Sequence, residues 1–243
     1  MIKLRFPRLS CFDRSLEPAT VAVPFPQGAL ADIGRCRIAD AAGKTFPGQF
    51  RVTARWPDGS VKWLLVHLQA DLPANKGADY FLDTNAADPA FASSMCVSAS
   101  CVDTGALKIA LSDSPDALFD SITTPQGTFT REEISPFTIT DGEGNAYTAG
   151  AGEKDWEVIE SGPVRAMLRT RGRHTGASGT YFDYIVTLYA YAGKSWIDLD
   201  YRVINTESGK PLELANAAPG LTVSSIASMN LRLTPKACGA NSK

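Results

Sequence analysis

Positive charge, histidine, long apolar runs and paired cysteines are all scarce in this sequence. Its 243 residues hold 24 Lys and Arg against 26 Asp and Glu, a net charge of −2. That balance argues against nucleic acid as a partner, because phosphate recognition relies on clustered positive charge. No stretch approaches the ~20 apolar residues of a membrane-spanning helix, so no membrane partner is expected. The amino terminus, Met1-Ile-Lys-Leu-Arg-Phe-Pro-Arg-Leu-Ser10, lacks the uninterrupted apolar core of a secretory signal. The expectation is a cytoplasmic protein, or a secreted one whose signal has been removed. The five cysteines, Cys11, Cys36, Cys96, Cys101 and Cys238, are odd in number and scattered, which suits neither a disulfide framework nor a zinc site. Free thiols are the ordinary reading, with a small Cys96–Cys101 loop bridge as the alternative. The sequence has no phosphate-binding glycine loop, no Gly-x-Ser-x-Gly elbow and no His-Glu-x-x-His. Neither a metal nor a cofactor is expected.

Helical periodicity of useful length is also missing, and what fills the chain is the period-two alternation of strands. The organising stretch is Arg51 to Gln69, a β-hairpin around Pro57-Asp58-Gly59-Ser60, where proline presets φ and glycine supplies φ > 0. In its second arm Val61, Trp63 and Leu65 alternate with Leu64, Val66 and Leu68, so this strand is expected to be covered on both faces. On that pattern Trp63 belongs in the core, and Trp56, beside the turn, is the exposed one. Ile2–Phe6 and Thr20–Val23 are short alternating runs, which prolines at 7, 18, 24 and 26 are expected to break before they could become helices. About six short strands in roughly the first 85 residues suit a small barrel.

The composition then shifts to Ala, Ser, Asp and Pro over residues 86–100, the best linker in the chain. Residues 101–243 are again β. Asp141-Gly-Glu-Gly-Asn145 reads as a tight hairpin turn rather than a calcium loop, since the remaining ligand series is missing. Val164–Arg171, Tyr181–Tyr191 and Ser195–Val203 are three two-faced strands, and shorter ones are expected at 212–214, 221–223 and 229–233. The polar tail from Pro235 is expected to fray. The fold class is all-β: a small β-barrel (1–85) followed by an antiparallel β-sandwich (101–243), whole or in part.

Chemistry-bearing residues concentrate on the wet face of the second half. Arg165, Arg169 and Arg171 share one strand face, Tyr181, Tyr189 and Tyr191 the next, and Trp196, Asp198 and Asp200 a third. Guanidinium groups pair with carboxylates in bidentate fashion and aromatic rings stack on sugar faces, so this composition suits an acidic polysaccharide such as one containing galacturonate. The same residues also describe cross-strand ion pairs on a solvated sheet. Trp56 is a further stacking candidate, with Arg55, Asp58 and Lys62 around it. Eliminating a proton from a uronate needs a base and an electrophilic partner for the carboxylate. Of the two histidines, His67 lies in an apolar strand and reads as core. His174, in the Gly172-Arg-His-Thr-Gly176 turn beside arginines, is the better base candidate.

The runs Val21-Ala-Val-Pro-Phe-Pro-Gln-Gly-Ala-Leu30 and Ala54-Arg-Trp-Pro-Asp-Gly-Ser-Val-Lys-Trp-Leu-Leu65 resemble the amino-terminal barrel of the rhamnogalacturonan exolyase family of polysaccharide lyases. Weaker similarity continues through Val102–Leu107 and Glu160–Arg165. The resemblance implies a barrel, then a β-sandwich, then a helical toroid carrying the catalytic groups, and this chain is expected to stop before the toroid. It implies a non-catalytic region that holds or orients an acidic pectic polysaccharide for a catalytic domain outside this chain, and it transfers no catalytic residue. The alternatives are a structural β module that binds no glycan and self-associates or meets a partner through a sheet edge, and a minimal lyase using the arginine and tyrosine face with His174.

Overall fold

The turn at the centre of the sequence argument shows why the first strands pair as they do. In the computed structural model Gly59 takes φ +82°, and Trp56 N donates to Ser60 O at 2.8 Å. Asp58 Oδ1 accepts from both the backbone N–H and the hydroxyl of Ser60, at 3.0 and 2.6 Å. Those hydrogen bonds hold the Asp58 carboxyl below the usual carboxylate range.

The structure describes residues 1–206 apart from 9, 87–90, 92, 115–116, 135–136, 142 and 150–154, and the backbone alone of 214–217 and 228–233. The expected strand at 221–223, the polar tail and Cys238 lie outside the described residues. The chain forms two units, Met1–Ser93 with Gly162–Arg165, and Ser94–Ser161 with Ala166–Lys243.

In the first unit the strands are β1 (Ile2–Phe6), β2 (Arg14–Pro24), β3 (Arg37–Asp40), β4 (Thr45–Phe46), β5 (Gly48–Arg55), β6 (Val61–Leu72) and β7 (Ala78–Asp83). They form a sheet ordered β1-β7-β3-β4 and another ordered β2-β6-β5. Leu64, Val66, Leu68, Ala70 and Leu72 of β6 meet Leu4, Ile38, Tyr80 and Leu82 of the other sheet in one core, and this is the small barrel. β2 is a strand as expected, but it is longer than Thr20–Val23 and runs through Pro18 to Pro24. It is an edge strand, where a residue without an N–H leaves no ladder bond unmade on the solvent side.

The second unit contains β8 (Cys96–Val97), β9 (Cys101–Asp103), β10 (Lys108–Leu111), β11 (Phe119–Thr124), β12 (Gly127–Thr130), β13 (Thr138–Asp141) and β14 (Ala146–Thr148). It continues with β15 (Glu157–Ser161), β16 (Arg165–Gly176), β17 (Gly179–Tyr191), β18 (Ile197–Ile204), β19 (Leu214–Ala217) and β20 (Ser228–Leu233). One sheet is ordered β12-β11-β10-β9-β8. The other is ordered β19-β13-β14-β16-β17-β18-β20, with β15 also on β16. Val102, Ile109, Leu111 and Phe119 of the first face Leu168, Tyr184, Val186, Leu188, Leu199 and Tyr201 of the second, so the two sheets share a core as a sandwich. The Asp141 turn is a closed structural unit. Asp141 accepts from Glu143 N, Asn145 N, Asn145 Nδ2 and Tyr147 OH at 2.8–3.0 Å. Burial pushes its carboxyl up, and those hydrogen bonds outweigh it, so the group sits below the usual range. Cys96 and Cys101 are free thiols on neighbouring strands, without a bridge.

Candidate functional site

The outward face of β16, β17 and β18 follows from alternation. Ala166, Leu168 and Thr170 turn inward while Arg169, Arg171 and Arg173 turn outward. On β17, Phe182, Tyr184, Val186 and Leu188 are buried, and on β18 Ile197, Leu199, Tyr201 and Val203 are buried. Tyr189 lies opposite Asp198 in the ladder and Thr187 opposite Asp200. At the far end of the hairpin, the Tyr191 and Trp196 rings are 5.1 Å apart. Tyr191 OH donates to Asp198 Oδ2 at 3.2 Å, over a carboxylate that is only 6% exposed. The row from Arg169 to Arg173 spans about 13 Å at ~3.3 Å per residue.

The arginines divide. Arg169 pairs with Glu157 of the neighbouring β15 at 3.3 Å, and Arg173 with Asp183 of β17 at 3.1 Å. These are the cross-strand pairs of a solvated sheet. Arg171 is exposed and, among the described residues, has no ion-pair partner. Arg165 groups with the first unit, where its N–H and that of Val164 donate to the buried Gln49 Oε1 at 3.0 and 3.2 Å. It therefore does not extend the Arg169–Arg171 row of the second unit. Arg173, which the sequence reading passed over, belongs to the face and was legible from the same alternation.

Tyr181 also leaves the candidate set. Its ring stacks on Tyr147 at 5.0 Å and on the adjacent Phe182 at 3.9 Å, packed against the core. Neighbours in a regular strand point to opposite sides, so the second stack requires the alternation to break. Phe182, with φ +28°, is where it does.

His174 is the clearest correction. It lies in β16 rather than in a turn, fully buried on the core side of the sheet. Its Nδ1 is 2.9 Å from Phe182 O, and a carbonyl only accepts, so Nδ1 carries the proton. Nε2 then accepts from Tyr201 OH, and the Tyr184 ring stands edge-on at 5.2 Å. Burial lowers the His174 pKa to about 4 and raises that of Tyr201. A neutral imidazole with both nitrogens bonded and no exposed surface is a core residue and reaches no proton on a polysaccharide. His67 is also core, with Nδ1 2.8 Å from Thr20 Oγ1.

In the first unit, Trp56 is half-buried. Its Nε1 donates to Phe25 O at 2.9 Å, and Lys62 Nζ lies 4.4 Å from the ring centroid. The expected contrast between the two tryptophans is reversed, because Trp63 is 41% exposed. Among the described residues, β6 is covered on its outer side only toward His67. There the ladder neighbour Gln49 is closed over by Gly162–Arg165. The opposite end of the strand is open.

What remains on the outward face of the second unit is Arg171, toward the β16–β17 turn, and Tyr189, Tyr191 and Trp196, toward the β17–β18 turn, where Asp198 and Asp200 lie in the ladder. This set can stack on rings and pair with one carboxylate. Among the described residues it offers no exposed histidine, and no group of three or more His, Cys, Asp or Glu is placed to hold a metal ion. No helix of the described residues is long and apolar enough to cross a membrane.

The architecture is thus an all-β barrel followed by a sandwich. Residues 10–79 match the family model of the PcRGLX-like N-terminal RIFT barrel domain, so the barrel is similar to that of rhamnogalacturonan exolyase-like proteins. The fold is similar to that of an α-mannosidase from Enterococcus faecalis V583, with TM-score 0.62 and 14% identity, over 84% of this chain and 30% of that one. It is also similar to a protein in the Glycosyl Hydrolase Family 38 from Enterococcus faecalis, with TM-score 0.54 and 12% identity, over 84% and 31% of the respective chains. This chain therefore spans less than a third of either protein. A search of curated proteins gives no match.

Proposed function

We propose that this chain is the non-catalytic amino-terminal region of a rhamnogalacturonan exolyase-like protein, and that it holds an acidic pectic polysaccharide for a catalytic domain outside it. The observation that carries the reading is the face of Arg171, Tyr189, Tyr191 and Trp196 on a protein whose barrel matches that lyase family. A guanidinium without a competing carboxylate can pair with a uronate, and the aromatic group further along the same sheet can stack on another ring of the same polysaccharide. Binding alone is expected, because elimination requires a base and His174 is sealed in the core.

The test is calorimetric titration of the chain with rhamnogalacturonan oligosaccharides, with ultraviolet absorbance of unsaturated products followed in the same mixture. Binding without product is the expected result. Arg171→Ala should weaken binding by about tenfold, the loss of one charge-assisted pair of ~1.5 kcal/mol. Release of unsaturated sugar would refute the non-catalytic reading, and absence of binding would refute the glycan reading.

A structural module is the second reading, and one observation favours it. β12 is an edge strand whose four residues are all exposed, with Phe129 43% accessible. An open apolar edge of this kind is a template for pairing with another chain. Concentration-dependent association without glycan binding would give it the lead.

A further inference from the structure

The outer face of the barrel sheet β2-β6-β5 belongs neither to the core nor to the arginine face of the sandwich. Register assembles it in rows. Pro24 lies opposite Trp63, and Ala22 opposite Leu65, with Arg51 on the far side of Leu65. A bulge on β5 brings Thr53 beside Trp63, its Oγ1 donating to Trp63 O at 3.4 Å. Pro24, Ala22, Thr53, Arg51 and Arg55 are all exposed, and Trp63 is the one exposed tryptophan of the four in the chain. A bare indole with proline and alanine beside it, on the central strand of a rigid sheet, is an apolar platform that a folded protein ordinarily buries.

The charge around the platform decides what fits it. Arg55 Nη1 donates to Gly59 O at 2.7 Å, which holds the guanidinium in place. Among the described residues no carboxylate pairs with it. Lys62, over the Trp56 ring, adds a second cation at the same end. Asp58, in the turn beyond Arg55, accepts from Ser60 and forms no ion pair with Arg55. A second copy docking by a two-fold axis would bring these cations toward their own symmetry mates, which is unfavourable. A ligand with a flat apolar ring face and regularly spaced carboxylates satisfies both features at once.

We propose that this face, centred on Trp63 with Arg55 at its rim, is a second carbohydrate subsite that takes a uronate-bearing pyranose chain. The proposal deepens the glycan reading above and rests on it, but it places a contact on the barrel, whereas Arg171 belongs to the second unit. The sugar's C–H face stacks on the indole, and its carboxylate meets the Arg55 guanidinium.

The experiment titrates the whole chain with a galacturonate oligosaccharide and with a neutral galactose oligosaccharide of equal length. Wild type, Trp63→Ala, Trp63→Tyr, Arg55→Met and Arg171→Ala are compared, with circular dichroism confirming the fold of each. The expected result is about a tenfold rise in Kd for Trp63→Ala and for Arg55→Met. Trp63→Tyr should stay within about threefold of wild type because it keeps a stacking ring. The neutral oligosaccharide should bind more weakly and lose its response to Arg55→Met. Unchanged affinity in Trp63→Ala, with loss in Arg171→Ala, overturns this proposal and leaves the glycan reading standing. Failure of wild type to bind either sugar overturns both. A Trp63→Ala variant that alters only self-association in sedimentation assigns the face to a second copy and likewise overturns the proposal.

Discussion

Acidification should expose the cost of burying His174. In the folded chain its pKa is lowered to about 4, chiefly by burial; its hydrogen bond to Phe182 O and the charge of Asp183 oppose that shift only in part. Tyr184 and Tyr201 also face the ring, and burial raises the pKa of Tyr201. In the unfolded chain the imidazole titrates near its ordinary ~6.5. Between these values the unfolded state binds a proton that the folded state refuses, so stability is fully present above pH ~6.5 and falls as pH drops toward 4. At ~1.4 kcal/mol per unit, the contribution lost is about 2 kcal/mol at pH 5 and about 3 kcal/mol by pH 4. The assay is urea unfolding at pH 7 and pH 5. It uses a chain carrying Trp56→Phe and Trp63→Phe, so that Trp156 and Trp196 report on the second unit. The control is the same chain with His174→Gln. Carboxylates held below their usual range, such as Asp58 and Asp141, lose their contribution as pH falls through their lowered values. They do so equally in both chains and drop out of the comparison. The histidine chain should lose about 2 kcal/mol more than the glutamine chain between pH 7 and 5. Equal losses would refute the reasoning, whatever the absolute stabilities.

Two structural predictions follow from close contacts. Gln49→Ala strands the N–H groups of Val164 and Arg165. It should cost the first unit about 2 kcal/mol, with faster amide exchange at 164 and 165 as the specific readout. Gly176→Ala would drive a Cβ into the carbonyl of Ala146. A backbone oxygen cannot rotate away, so the expected cost is about 3 kcal/mol in chemical denaturation of the second unit, and near-neutrality would contradict the β14–β16 pairing.

The faces of β16, β17 and β18 were legible in the sequence because alternation is a property of single strands. Leu168, Tyr184 and Leu199 read as inward and are inward. The misreadings arise where glycine and proline carry a meaning other than a turn. Gly172 and Gly176 look like the two ends of a loop around His174, yet both lie in β16. A Cβ at 172 would meet the Tyr184 hydroxyl, and one at 176 the Ala146 carbonyl, so both positions are glycine for close approach. The chain reverses only afterwards, before Gly179 at φ +108°. Pro18 lies inside β2, upstream of the expected start of that run at Thr20, and is tolerated by its edge position. Position in a sheet is set by the whole topology and is absent from any local window.

The same distinction explains what was readable in the candidate site. Alternation tells which residues share a face, and it gathered Arg169, Arg171, Tyr189 and Tyr191 correctly. It says nothing of partners, which come from other strands. Arg169 is paired through Glu157, and Arg173 through Asp183. Tyr181 is withdrawn because one left-handed residue, Phe182, turns two consecutive rings to the same side. A row of arginines on a sheet therefore carries recognition only at the positions its neighbours leave uncompensated. On this sheet that argument selects Arg171 over Arg169. For the barrel it selects Arg55 beside Trp63, since an alternating apolar strand with one open face leaves a large aromatic in water and only its cross-strand partners reveal which one.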